Sequence, residues 1–379
     1  MLKPTYLIPH LPPAAELETV AVLREAARAH RYLAELKGRA TAIPNQGILI
    51  DTLSLQEARA SSEIENIVTT QDEMFQATLF PNSPDGGPAK EVALYRDALK
   101  RGHDRLAENQ GLLTNNTIIE MFQVLKRTTG EFRSTPGTAL RNDASGELVY
   151  VPPQDHAAIV AHMTALERFL NDEAASDLDP LIKMALIHHQ FESIHPFPDG
   201  NGRIGRILNV LYLTKAGLLD IPILYLSRYV NEHKAEYYRL LQGVRDTGQW
   251  EAWLLYILRA VAETSRQTLE LVQGVGVLMA EYKRIIRTDH PRMYSQDLLN
   301  NLFRHPYTRI EFLQNELGVV RQTAARYLDD LASAGLLEKH SQGRNNYYVN
   351  RPLVTLLLGV SERSAGLTAP SASSAPPPP

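Results

Sequence analysis

Cysteine is absent from this chain. Disulfides, thiolate metal sites and a cysteine nucleophile are therefore excluded, and the usage fits a reducing cytosol. Long apolar runs are missing too: no segment approaches the roughly 18 uninterrupted apolar residues of a membrane helix. Neither sign of charge dominates. A net charge of -4 gives no general attraction to nucleic acid or to an anionic membrane. The opening MLKPTYLIPHLPPAAELETV lacks the charged-then-apolar order of a secretory signal. A cytoplasmic protein with no membrane partner is expected. What is present is ordinary for a globular chain: 44% hydrophobic and 22% charged residues, over a length that suits two or three domains.

The periodicity predicts a mainly α-helical fold. Residues 14–38 are rich in Ala, Leu and Glu, and Gly38 ends that helix. A second helix is expected over 52–68, with Ser54 and Glu57 at capping-box spacing. PNSPDGGP at 81–88 is a loop, followed by helices at 89–107 and 115–127. GTALRNDASGELVYVPPQD then breaks the rhythm. Asn142 to Gly146 supply turn chemistry, and Leu148 to Val151 have β propensity, so a hairpin is expected. Helices resume at 155–171 and at 180–191, the latter with Asp179 as N-cap and Pro180 in its first turn. A stripe of Ile204, Ile207, Leu208 and Leu211 marks another helix from Arg203, and two more follow at 231–247 and 249–273. Residues 303–350 read as helix, turn, helix and hairpin, the pattern of a winged helix. Its core is expected to be Leu313, Leu317, Leu328, Leu331, Leu336 and Leu337. The division expected is a helical region at 1–110, a helical core at 111–285, a winged helix at 286–360 and a disordered tail at 361–379.

HPFPDGNGRIGR, from His195 to Arg206, concentrates chemistry. Gly200, Asn201 and Gly202 precede a helix, where backbone N–H groups and the positive end of the helix can cradle phosphate. Arg203 and Arg206, three residues apart, can present guanidiniums for charge-assisted bonds to phosphate. That is more cation than one phosphate needs, so a polyphosphate is expected. Asp199 can bridge to a magnesium ion carried by the phosphates. His195 stands outside the cradle, where its ring can take a proton from an attacking hydroxyl. Phe197 is expected to anchor the loop in the core. A Gly-Asn-Gly run alone is a turn, and a lone histidine is structural; the fixed order of base, acid, glycines and two arginines is what points to a site.

This stretch resembles the Fic-family motif, His-x-Phe-x-Asp/Glu-Gly-Asn-Gly-Arg-x-x-Arg, with every fixed position matched. The likeness extends over most of residues 1–265. It implies a Fic-type helical core with a β-hairpin flap, and an enzyme that moves AMP from ATP to a Ser, Thr or Tyr hydroxyl of a protein, releasing pyrophosphate. His195 would be the base. Asp199 would hold Mg²⁺. The run Gly200, Asn201, Gly202, Arg203, Ile204, Gly205 and Arg206 would bind the phosphates. Glu147, Leu148, Val149 and Tyr150 would form the flap edge that pins the target backbone. Tyr237 and Tyr238 resemble tyrosines that border the adenine, although paired tyrosines on a helix are commonly core.

SSEIEN at 61–66 resembles the inhibitory-helix motif of the same family, Ser/Thr-x-x-x-Glu-Gly/Asn, carried by Ser61, Glu65 and Asn66. Ser61 and Glu65, at i and i+4, share a helix face. The resemblance implies that Glu65 competes with a γ-phosphate for Arg206 and enters the nucleotide site. His188 and His189 diverge by about 100° on a helix and are expected to be structural. In 303–350 six Lys and Arg face five Asp and Glu, and Arg321, Gln322, Arg326 and Arg344 sit where a winged helix reads DNA. DNA, a protein target and a second copy of the chain all remain open as its partner. Two rivals to AMP transfer also stand: a transcription regulator whose core only senses nucleotide, and a hydrolase that removes AMP.

Overall fold

The computed structural model describes residues 5–79, 87–141, 145–172, 174, 176–342 and 345–365. The chain divides into two compact units, residues 1–269 and 270–379. The expected loop at 81–88 and turn residues 142–144 fall largely outside the described residues, as do Arg344 and the tail from 366.

The first unit begins with α1 (Val20–Ala40), α2 (Gly47–Ile64), α3 (Gln71–Leu79), α4 (Pro88–Glu108) and α5 (Asn115–Lys126). The hairpin follows as β1 (Leu140–Arg141) and β2 (Leu148–Tyr150), antiparallel, with an irregularity in register beside Arg141. Next come α6 (His156–Asn171), α7 (Pro180–Ile194), α8 (Asn201–Lys215), α9 (Leu226–Glu232), α10 (Lys234–Thr247) and α11 (Trp250–Asp289), which belongs to this unit as far as Leu269. Every residue of α7 from Leu181 to Ile194 is buried, and almost all of α8 is buried as far as Leu213. A helix enclosed on all sides belongs at the centre of its domain. These two helices are that centre, and the HPFPDG loop joins them. α2, α4 and α5 pack on α8, while α6 packs on α7.

The sequence boundaries moved where tertiary burial overrode local signals. α1 starts at Thr19, whose hydroxyl accepts from the Val22 N–H, not near residue 14. α2 starts five residues earlier than expected, so Ser54 and Glu57 are not a cap: both lie buried inside the helix. Glu57 accepts from the Tyr95 hydroxyl at 3.0 Å and from the Ser227 N–H at 2.9 Å, and it also takes the Ser227 hydroxyl. Burial pushes its pKa up despite these donors. α3 was not anticipated. The single helix expected at 231–247 is split at His233 into α9 and α10. Gly102 of α4 shows why that position takes no side chain: an added Cβ would overlap Met121 of α5 and Leu211 of α8.

The second unit carries α12 (Gln296–Arg304), β3 (Tyr307–Thr308), α13 (Ile310–Leu317), α14 (Arg321–Ser333), β4 (Glu338–Gln342), β5 (Asn345–Val349) and α15 (Arg351–Ala365). Its antiparallel sheet has the order β3-β5-β4. Helix, turn, helix and hairpin thus follow in the expected order. Leu313, Leu328, Leu331, Leu336 and Leu337 are buried as expected, whereas Leu317 is only half-buried. α15 reaches Ala365, so the segment expected to be disordered from 361 begins as helix. Among the described residues, no helix is long and apolar enough to cross a membrane.

Glu57 ties α2 to α4 and α9. Replacing it with Ala strands the buried Ser227 and Tyr95 donors. We expect Glu57→Ala to lose about 2–4 kcal/mol of stability, measured by urea denaturation; an unchanged midpoint would contradict this account.

Candidate active site

α7 ends in an unusual turn. His195, its C-cap, has φ 50° and ψ 60°, left-handed backbone that a non-glycine residue adopts only when held there. Phe197 turns inward and stacks on Phe122 with ring centroids 4.1 Å apart, so it anchors the loop as expected. Asn201 locks the loop with both halves of its amide: Oδ1 accepts from the Phe197 N–H and Nδ2 donates to the Phe197 carbonyl, each at 2.8 Å. Its side chain is therefore committed to the loop, and only its backbone can face a phosphate. Gly200 makes the final turn at φ 79° and caps α8. The first N–H groups of α8 have no partner inside the helix and point at the mouth of the loop.

The charged residues of the loop each meet an opposite charge brought by a different helix. Arg206 is buried. Its Nε donates to Ser61 Oγ at 2.8 Å, and its Nη2 to the Ser61 carbonyl at 3.0 Å and to Glu65 Oε1 at 2.7 Å. Arg203, also buried, donates through Nη1 to Glu91 Oε2 of α4 at 2.6 Å. Asp199 Oδ2 accepts from Lys126 Nζ at the end of α5 at 2.6 Å, and its Oδ1 accepts from the Gly200 N–H. A Cβ on Gly202 would overlap Glu65 Oε1, so Glu65 reaches over the glycine turn itself. α2 stops there because Asn66 adopts left-handed backbone (φ 61°), which asparagine tolerates better than most residues, and Ile67 N–H closes back on the Ser62 carbonyl.

Electrostatics follow from these contacts. Burial alone would raise the Glu65 pKa, but the Arg206 guanidinium, with Arg203 beyond it, holds it below the usual carboxylate value. Glu65 raises the Arg206 pKa in turn, against burial. Burial, aided by the Arg245 and Arg133 cations, pushes His195 down to about 4. The ring is therefore neutral at physiological pH. Burial pushes Glu192 up to about 7.

Several residues expected at the site have other partners or surroundings. Ile204 is wholly buried in the core. Gly205 provides room for Phe191 and Glu192 of α7, so its smallness serves helix packing. Tyr150 is buried, and its hydroxyl donates to the Ser193 carbonyl at 2.7 Å; it seats the hairpin rather than lining its edge. Tyr237 is in the core, with its hydroxyl 2.8 Å from His188 Nε2, while Tyr238 is exposed. Glu147 is exposed, and Leu148 and Val149 keep 42% and 41% of their surface in solvent, an apolar edge on a two-stranded hairpin. His188 and His189 are buried against Trp253 and Trp250 and held neutral by burial. Glu91, Lys126, Arg133 and Arg245 were not singled out in the sequence. No local pattern marks them, because their partners lie far away along the chain.

Known proteins resemble this chain in sequence and in fold. The Fic/DOC family profile matches residues 93–213, the Fic/DOC N-terminal profile residues 23–104, and a profile described as the C-terminal domain of protein adenylyltransferase SoFic-like residues 278–353. The protein adenylyltransferase Fic of Drosophila melanogaster is 28% identical over 155 residues, 41% of this chain and 29% of that protein. A probable protein adenylyltransferase of Aquifex aeolicus is 30% identical over 187 residues, 48% of this chain and 54% of that protein. The chain thus spans about a third to a half of the length of these relatives. A Fic family protein from Desulfovibrio desulfuricans has the same fold at TM-score 0.55 and 19% identity, over 92% of this chain and 98% of that one. Fic-1 from C. elegans (residues 134–508) does so at TM-score 0.52 and 21% identity, over 68% and 74%.

The Glu65–Arg206 pair sets a pH dependence. A carboxylate with a depressed pKa in the folded state adds stability above its unfolded pKa, and this is lost as pH falls through the folded value. Glu65→Gln should therefore lower Tm at neutral pH, and the deficit should shrink once pH drops below about 4.3. A deficit constant with pH in a calorimetric series would show that the charge of Glu65 is not what holds the turn.

Proposed function

This chain belongs to the Fic/DOC family, and we propose that it transfers AMP from ATP to a Ser, Thr or Tyr hydroxyl of a protein. One observation carries the reading: an imidazole on a left-handed turn stands at the end of α7, beside a glycine turn opening α8, which carries two buried arginines. The names of the relatives support the same reaction class.

In this reading His195 takes the proton of the target hydroxyl. The hydroxyl oxygen bonds to the α-phosphorus, the bond from that phosphorus to the bridging oxygen breaks, and pyrophosphate leaves with the electron pair. Charge grows on the leaving group, where the first N–H groups of α8 and the Arg203 and Arg206 guanidiniums can meet it. Nucleotide phosphates also add negative charge near His195 and offset Arg133 and Arg245, which strengthens the base when substrate is bound. Asp199 is an exposed single carboxylate, a set that suits a magnesium ion brought by the polyphosphate. Among the described residues, no group of three or more candidate ligands forms a cage for a metal alone. When bound, the ion supplies charge neutralisation at the phosphates. The exposed edge at Leu148 and Val149 is suited to pairing with an extended target segment.

Glu65 acts as an intramolecular inhibitor in this scheme. Its carboxylate occupies the guanidinium face that a terminal phosphate would take, at 2.7 Å. ATP then lacks one clamp and sits out of line for attack.

Two outcomes are expected. His195→Ala should abolish label transfer from ATP while leaving the calorimetric ATP affinity intact; loss of both together would make His195 a binding or structural residue. Glu65→Gly should raise transfer by about 10- to 100-fold, the equivalent of roughly 1.4–2.8 kcal/mol. That gain should vanish in an Arg206→Ala background, because the clamp it releases is gone. Equal activation in both backgrounds would separate Glu65 from Arg206.

A further inference from the structure

Behind His195 lie the buried Arg133 and the half-buried Arg245, neither of them part of the phosphate loop. Both hold the end of α7. Arg245 of α10 donates through Nη2 to the Glu192 carbonyl at 3.1 Å and through Nε to Ser193 Oγ at 3.1 Å. Arg133 donates through Nε to the His195 carbonyl at 2.8 Å, and its own backbone N–H donates to the Pro196 carbonyl at 2.8 Å. A helix leaves its last carbonyls without intrahelical partners, and its negative end favours cations. Here the Glu192 and His195 carbonyls are met by guanidiniums.

The same two side chains hold the hairpin. Arg133 Nη2 donates to the Pro153 carbonyl, three residues past β2. The Arg245 guanidinium lies 3.8 Å over the ring of Tyr150, the last residue of β2, and the Tyr150 hydroxyl returns to the Ser193 carbonyl. His156 Nδ1, at the start of α6, lies 3.1 Å from the Arg133 carbonyl and so fixes its backbone. A left-handed histidine persists only where its surroundings over-determine it. Arg133 and Arg245 supply that determination from two separate parts of the chain.

We propose that Arg133 and Arg245 are positioning residues for the base, a bracket that fixes the turn aiming the His195 imidazole and ties that turn to the returning strand of the hairpin. A target strand seated on the hairpin edge then meets a base whose backbone is attached to the same two side chains. This inference rests on the reading of His195 as the base.

The bracket also sets the charge around the ring. The charged groups that act on His195 are Arg133 from the segment before the hairpin, Arg245 from α10 and Glu65 from the end of α2, while Glu192 of α7 acts through its backbone. The two cations disfavour the imidazolium and Glu65 favours it. A purely structural brace would leave that balance unchanged.

The test uses the full chain with Arg133→Gln and Arg133→Lys, each checked for folding by near-ultraviolet circular dichroism. Arg133→Gln should cut AMP transfer by about 100-fold, the scale of a misplaced catalytic group, with ATP affinity by calorimetry unchanged. The imidazole titration of His195, followed by NMR without nucleotide, should move upward from about 4 as one cation is removed. Arg133→Lys keeps a cation, so its titration should stay low and its transfer should partly recover. A folded Arg133→Gln protein that transfers AMP at the parental rate, or whose His195 titration does not move, overturns the inference. Should Arg133→Gln not fold, Arg245→Lys takes its place: transfer should fall with the His195 titration held low, and parental transfer overturns the inference. Failure of the base reading is seen separately, as transfer surviving in His195→Ala, because the NMR titration needs no substrate.

Discussion

A guanidinium buried in a protein interior must have acceptors, because its charge cannot be shed and its desolvation is costly. Arg206 is such a group, 2% exposed near the start of the central helix α8. Its acceptors come from α2: the Ser61 hydroxyl, the Ser61 carbonyl and the Glu65 carboxylate. This one requirement ties the N-terminal helices to the phosphate loop. It also makes the position of α2 depend on whether another anion, such as a terminal phosphate, can offer Arg206 a better partner.

The same exchange logic runs through the loop. Arg203 holds Glu91 of α4, and Asp199 holds Lys126 of α5. Three helices thus lend opposite charges to three residues of one motif. The chain neutralises the charges of its own loop, so an anion that enters it replaces pairs that already exist. Exposure ranks these pairs: Asp199 is largely in solvent, Glu91 less so, and Glu65 meets the most buried arginine. Exchange at Arg206 therefore carries the largest electrostatic consequence.

The far side of the loop works by rigidity, not by exchange. Phe197 stacked on Phe122, Asn201 clamped to Phe197, and Arg133 and Arg245 on the last carbonyls of α7 leave the turn little freedom. Ion pairs thus lie on one side of the loop and a braced His195 on the other.

Much of this was legible in the sequence because it is written in adjacent residues. HPFPDGNGRIGR carries its base, acid, glycines and arginines within twelve positions, and SSEIEN places Ser61 and Glu65 on one helix face by spacing alone. The hairpin and the order of elements in the C-terminal unit follow from local periodicity and turn chemistry in the same way. The residues that were missed, or given the wrong surroundings, depend on contacts distant along the chain. Glu57 has the spacing of a cap, yet it lies inside α2 because the apolar face of that helix is buried well before it. Tyr150 and Tyr237 look available on a strand and a helix, but packing against α7 takes them into the core. Glu91, Lys126, Arg133 and Arg245 have no motif, since a salt bridge or a capped carbonyl needs only proximity, and proximity between α4, α5, α10 and one loop is decided when the helices pack around α7 and α8. The sequence by itself determined which groups could do chemistry; the tertiary structure alone decided which charges restrain them, because burial and charge pairing are properties of neighbours in space.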